Sequence, residues 1–158
     1  MKKLLGLFLV AISSCVLNAQ TRPSVSAACP TMEVSIVADK PAPSTRQISA
    51  EGEIISLTEK PLLTMGDFTD ANVSLTEGQI VLNVGLSDES AKRVQKFTAS
   101  HVGTRMAFLV NGRVINSPKI LDPITGKGFL IGPFSRDEAQ KLADSINEKQ
   151  SACAFRRN

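Results

Sequence analysis

The sequence predicts an α+β domain in which two helices pack on one face of an antiparallel or mixed sheet. Two stretches, 87–103 and 135–146, repeat apolar residues at three- and four-residue spacing, as amphipathic helices do. Short β-patterned runs precede each of them, and Asn111-Gly112 between two apolar runs marks a hairpin. The chain has 158 residues, enough for one compact core. With seven Phe, no Trp and no Tyr, that core must be built mainly from Leu, Ile, Val and Met.

Val34, Ile36 and Ala38 alternate with their neighbours as a short strand does, and Lys40-Pro41-Ala42-Pro43-Ser44 ends it, because prolines cannot continue a ladder. The stretch from there to Gly52 reads as a linker. Ile54-Ile55-Ser56-Leu57 reads as a strand, Pro61 to Asp67 as a strand ending in a turn, and Gln79 to Val84 as a strand buried on at least one face. Ser87 is the expected N-cap of the first helix, with Asp88 and Glu89 complementing the positive end of its dipole. Ala91, Val94, Phe97 or Thr98, and Val102 form its apolar stripe, and Gly103 supplies a left-handed stop. Met106–Val110 and Val114-Ile115 are the hairpin strands around Asn111-Gly112, a dipeptide that accepts positive φ at both central positions. Ser117-Pro118 breaks the second strand, and Phe129-Leu130-Ile131 is the last. Ser135 and Glu138 fit a capping box that opens a helix with the stripe Ala139, Leu142, Ala143 and Ile146.

The N-terminus has the layout of a secretory signal: Lys2-Lys3, an apolar run Leu4–Ile12, and a short polar segment to Ala19. That run is shorter than the roughly 20 residues a membrane-spanning helix requires. Cleavage after Ala19 gives a mature chain beginning at Gln20, periplasmic or secreted and without a transmembrane span. Ile12-Ser13-Ser14-Cys15 fits the alternative, a lipobox that makes Cys15 the lipidated N-terminus of a membrane-anchored lipoprotein. The expected organisation is therefore a signal peptide (1–19), a flexible lead-in with a short strand (20–51), a folded domain (52–148) and a C-terminal tail (149–158). Cys29 and Cys153 flank that domain and are expected to pair as a disulfide in an oxidising compartment.

Several function classes fall away. Without Lys2 and Lys3 the chain carries 16 basic residues (18 less 2) against 15 acidic ones, no basic face for nucleic acid or anionic lipid. The lone His101 and the two distant cysteines are not at metal-ligand spacing. At the end of a helix, His101 reads as a capping residue. Asp67, Asp70 and Glu77 do not match a calcium loop and read as solvated turn carboxylates. Gly126-Lys127-Gly128 lacks the Ser/Thr and the helix of a phosphate loop, and no serine has a base partner at motif spacing. The chain is expected to be non-enzymatic and to need no cofactor.

Five segments in order carry a family resemblance: Leu62-Leu63-Thr64-Met65-Gly66-Asp67 running on to Val73, Phe97-Thr98-Ala99-Ser100-His101-Val102-Gly103, the hairpin from Arg105 to Pro118, Phe129-Leu130-Ile131-Gly132-Pro133-Phe134, and Glu138-Ala139-Gln140-Lys141-Leu142-Ala143. Together they resemble the periplasmic head subdomain of the SecD/SecDF protein-export accessory, over residues 52–148. His101 stands where that family usually has Asn, and the family's base subdomain and transmembrane helices have no counterpart in this sequence. The resemblance implies a head that contacts polypeptide emerging from the translocon, without energy coupling. The expected function is a module that binds unfolded or translocating polypeptide, using an exposed sheet edge for strand addition or an apolar groove. Met106, Phe108, Phe129 and Ile131, on the strands expected to present an edge, are the candidate partner-binding residues. The alternative is an envelope interaction or structural protein that reuses the head fold to dock one specific partner.

Overall fold

The computed structural model describes residues 30–50 and 52–148. Nine strands and two helices follow one another: β1 (Met32–Ala38), β2 (Thr45–Ala50), β3 (Glu53–Thr58), β4 (Leu63–Thr64), β5 (Phe68–Thr76), β6 (Gln79–Leu86), α1 (Asp88–Ser100), β7 (Met106–Val110), β8 (Arg113–Asn116), β9 (Gly128–Ile131) and α2 (Arg136–Asn147). A single 310 turn, Met65–Asp67, joins β4 to β5. The predicted α+β class with two helices holds. The strands form two antiparallel sheets, one in the order β2-β3-β1-β7-β8 with β4 added to β1, the other β5-β6-β9. The larger sheet curls until its end strands, β2 and β8, come into contact.

Alternation along β1 and β7 sends Met32, Val34, Ile36, Met106, Phe108 and Val110 to one face of the large sheet. There they meet Leu82, Val84 and Ile131 of the small sheet and Val94, Leu142 and Ile146 of the helices in one continuous core. α2 lies along β5 and β6. The side chain of Asn147 at its end both accepts from the Ala71 backbone N–H and donates to the Ala71 carbonyl, each at 2.8 Å, as a neighbouring strand would. The opposite face of the large sheet holds a second, smaller cluster of Ile55, Leu57, Ala107 and Leu109, inside the curl.

The local signals act as their chemistry requires, with four differences. Asn111 and Gly112 have φ of 52° and 75°, the hairpin turn expected of them. The stretch read as a linker contains β2, whose Ile48 and Ala50 find burial only when β2 folds back on β3 around Gly52, φ 85°. β5 was not expected from the local pattern. Its pairing with β6 turns at Glu77-Gly78, both at positive φ, and only Phe68 and Ala71 of its nine residues are buried. α1 ends at Ser100 with His101 as its C-cap, which leaves Val102 outside the helix and 54% exposed. At α2 only half of the capping box forms. Ser135 Oγ accepts from the Glu138 N–H at 3.2 Å, while the Glu138 carboxylate turns to Arg113 at 2.7 Å, an ion pair only tertiary contact could provide.

Candidate polypeptide-docking surface

The four residues expected to bind a partner occupy two different settings. Met106 and Phe108 lie on β7, which pairs with β1 on one side and β8 on the other, and all five of its residues are buried. β7 therefore presents no edge, correcting the expectation for Met106 and Phe108: both face the main core, while Ala107 and Leu109 face the second cluster. Ile131 is likewise fully buried, in the main core. Phe129 is half-buried, with its ring edge-on to Phe108 at 5.2 Å and 72°. Its strand pairs only with β6 and ends the small sheet, and Leu130, 55% exposed, projects from it. Of the two strands expected to offer an edge, β9 alone is an end strand.

A more open feature, absent from the sequence reading, lies where the large sheet nearly closes. β2, β8 and the start of α2 bound a cleft of about 680 Å³ lined by Ala50, Val114, Ile115 and Phe134, with the Arg113–Glu138 ion pair at its rim. Polar and apolar surface mix there, and two end strands flank it, so it offers backbone hydrogen-bonding groups beside apolar side chains. The alternation Arg46-Gln47-Ile48-Ser49-Ala50 was its one sequence signal. A second cleft of about 380 Å³ runs beside β3, lined by Glu53, Ile54, Arg105 and Lys119.

Two polar clusters hold the surrounding elements in place. Asp67 Oδ2 accepts from the Thr64 N–H at 2.7 Å and from Thr64 Oγ1 at 3.1 Å, and Oδ1 accepts from Ser90 Oγ at 2.8 Å and from Arg93. Burial pushes its carboxyl pKa up, but the Thr64 N–H, the Ser90 hydroxyl and the Arg93 guanidinium together outweigh it and hold the pKa below the ordinary carboxylate value. Asp67 is therefore more than the solvated turn carboxylate expected of it. Thr98, fully buried in α1, accepts from the Ile124 N–H at 2.9 Å and so anchors the long β8–β9 connection. His101 stacks on Phe97 with centroids 4.0 Å apart, and its Nδ1 lies 2.8 Å from the Phe97 carbonyl, the capping role expected for it. Among the described residues no three His, Cys, Asp or Glu side chains are grouped to hold a metal ion, and no helix is long and apolar enough to cross a membrane. Cys15, Cys29 and Cys153 lie outside the described residues.

Residues 39–148 match the family described as SecDF, P1 head subdomain. The chain belongs to that family. Protein translocase subunit SecD of Dictyoglomus turgidum is 40% identical over 88 residues, covering 54% of this chain and 22% of that protein. SecD of Aquifex aeolicus is 34% identical over 97 residues, covering 60% and 19%. The chain thus spans about a fifth of the length of these SecD relatives. A solved SecDF, described as a membrane component that enhances protein export, superposes with a TM-score of 0.61 at 22% identity over 76% of this chain and 63% of that one. SecDF in a super-membrane-facing form gives 0.63 at 24% identity over 76% and 19%. These superpositions establish a shared fold. Within this SecDF head domain, the segment read as a linker belongs to the family region, since the match begins at residue 39, ahead of the boundary expected at 52.

Proposed function

We propose that this protein is an exported, non-enzymatic module that binds extended polypeptide in the periplasm and assists protein translocation. The observation that carries the reading is the match of residues 39–148 to the SecDF P1 head subdomain. The end strands β2, β8 and β9 support it, because an incoming chain in extended form satisfies its own backbone groups on such edges while alternate side chains enter apolar recesses. The near balance of basic and acidic residues, 18 against 15, fits a surface that takes many sequences, since a large excess of one sign would reject some of them. The test is photo-crosslinking in cells from a probe at Arg113, beside the cleft, or at Leu130, on β9. The expected catch is a spread of unrelated exported precursors or translocon components. A single recurrent envelope partner instead would show that the fold serves as a dedicated dock.

Export and maturation belong to the same proposal. Intact mass of the protein recovered from the envelope under non-reducing conditions is expected to fit a chain starting at Gln20 and two hydrogens lighter than its reduced form, as a Cys29–Cys153 disulfide requires. A lipid-sized increment on a chain beginning at Cys15 would replace the soluble form with an anchored one, and unchanged mass on reduction would remove the disulfide.

A further inference from the structure

The β2–β3 hairpin pairs more extensively with itself than with the rest of the domain. Its own strands pair at six positions, from Thr45↔Thr58 to Ala50↔Glu53, whereas β3 meets β1 at only Val37↔Leu57 and Ala38↔Ser56. Its inward side chains, Ile48, Ala50, Ile55 and Leu57, pack on Val37, Ala107, Leu109 and Val114 in a cluster separate from the main core. Two further ties are polar and partly exposed. Arg46 pairs with Glu33 and donates to Ser35 Oγ at 3.0 Å, and Arg105 lies 3.9 Å from a Glu53 carboxylate that is 68% exposed. Ion pairs this exposed stabilise little. At its two ends the hairpin continues into connections bearing Pro41 and Pro43 on one side and Pro61 on the other. A unit with many internal bonds, few external ones and a small core of its own is the kind that opens before the whole domain does.

We propose that β2 and β3 are a flap that opens as a unit and uncovers an apolar sheet face, where an extended polypeptide with alternating apolar residues takes its place. This rests on the polypeptide-binding reading above and places the binding on the inner face of the curl. The occupant follows from what already sits there. The face of Val37, Ala107, Leu109 and Val114 is covered by strands presenting an apolar residue at every second position, so a chain able to replace them has the same alternation. β8, next to the flap across the gap, supplies the free edge for its backbone. In the closed form the flap keeps that face from water and from a second copy's edge.

Hydrogen exchange on the intact protein is the first arm. Amides of β2 and β3 should exchange at least 100-fold faster than those of β5, β6 and β7. Equal rates across all of these strands would overturn the flap. The second arm is a lock, Ala38→Cys with Ser56→Cys, placed at a directly opposed pair on the face away from the apolar cluster, in a chain with the native cysteines changed to Ser. The probe is a reduced, carboxymethylated, permanently unfolded protein. It should bind the reduced form, speed exchange across β2 and β3, and bind the oxidised form at least tenfold more weakly, with affinity regained on reduction. Equal binding by locked and unlocked forms would overturn the site while leaving polypeptide binding intact. Binding by neither form would overturn the polypeptide-binding reading and the proposed occupant together.

Discussion

Gly128→Ala is expected to lower the melting temperature by about 10 °C or more, corresponding to a loss of about 3 kcal/mol. A Cβ at Gly128 would stand 2.3 Å from the Val84 carbonyl oxygen, across the ladder that joins β9 to β6. That oxygen belongs to the backbone of a central strand whose side chain is fully buried, so it cannot give way without disturbing the core. The affordable response is for β9 to lift off β6, which uncovers Ile131 and breaks the contact of Phe129 with Phe108. Against a domain stability of roughly 5–15 kcal/mol, such a loss is a large fraction. Gly126→Ala is the control, since nothing lies within 4 Å of a Cβ there, and its melting temperature should match the parent's. Thermal unfolding followed by circular dichroism checks both. A Gly128→Ala protein melting within about 2 °C of the parent would mean that β9 accommodates the methyl group by a shift too small to break its ladder.

Asp67→Asn is expected to cost about 2 kcal/mol at neutral pH and to flatten the dependence of stability on acid. The amide can keep one acceptor for Thr64 or Ser90, but it loses the charge that Arg93 faces, and hydrogen bonds to ionised groups are worth more than neutral ones. Arg93 also donates to the Leu62 carbonyl at 3.2 Å, so its displacement loosens the entry to β4 as well as the start of α1. The folded-state pKa of Asp67 is depressed below the ordinary aspartate value. Its contribution is therefore fully present above about pH 5, where the carboxylate is ionised in both states, and is lost as pH falls through the ordinary aspartate value towards the lowered folded one. Over that window the unfolded state binds the extra proton, so stability rises with pH. Denaturant titrations between pH 2 and 7 should show the parent losing more stability on acidification than Asp67→Asn does. Parallel profiles would assign the network's strength to the neutral hydrogen bonds alone.

Much of the architecture was legible because its signals are local. Ser87 and Ser135 cap helices through their own hydroxyls, at 3.2 Å to the Ser90 and Glu138 N–H groups, and Asn111-Gly112 adopts positive φ wherever a hairpin needs it. The regular apolar stripes of α1 and α2 announce themselves by period alone. β2 and β5 were obscured because their apolar residues are few and their burial depends on distant partners. Ile48 is covered by the curl of the large sheet, and Ala71 is fastened by Asn147, 76 positions away. For the same reason the candidate site was only partly legible. Phe129 sits on an end strand as its position suggested, whereas Met106, Phe108 and Ile131 were claimed by the core, and the cleft between β2 and β8 joins segments more than 60 positions apart (113 less 50). Asp67 looked like a surface carboxylate because Arg93 and Ser90 reach it only once α1 folds back beside the 310 turn.

The amino-acid sequence by itself determined the α+β class, the two capped helices, the β7–β8 hairpin and the family, since each depends on residues near one another or on segments in a fixed order. Tertiary structure alone decided the division into two sheets, which strands end them, which apolar residues remain at the surface, and the hairpin that covers the second core. Those choices are settled by the competition of apolar faces for burial across the whole chain, and no window of neighbouring residues contains that competition.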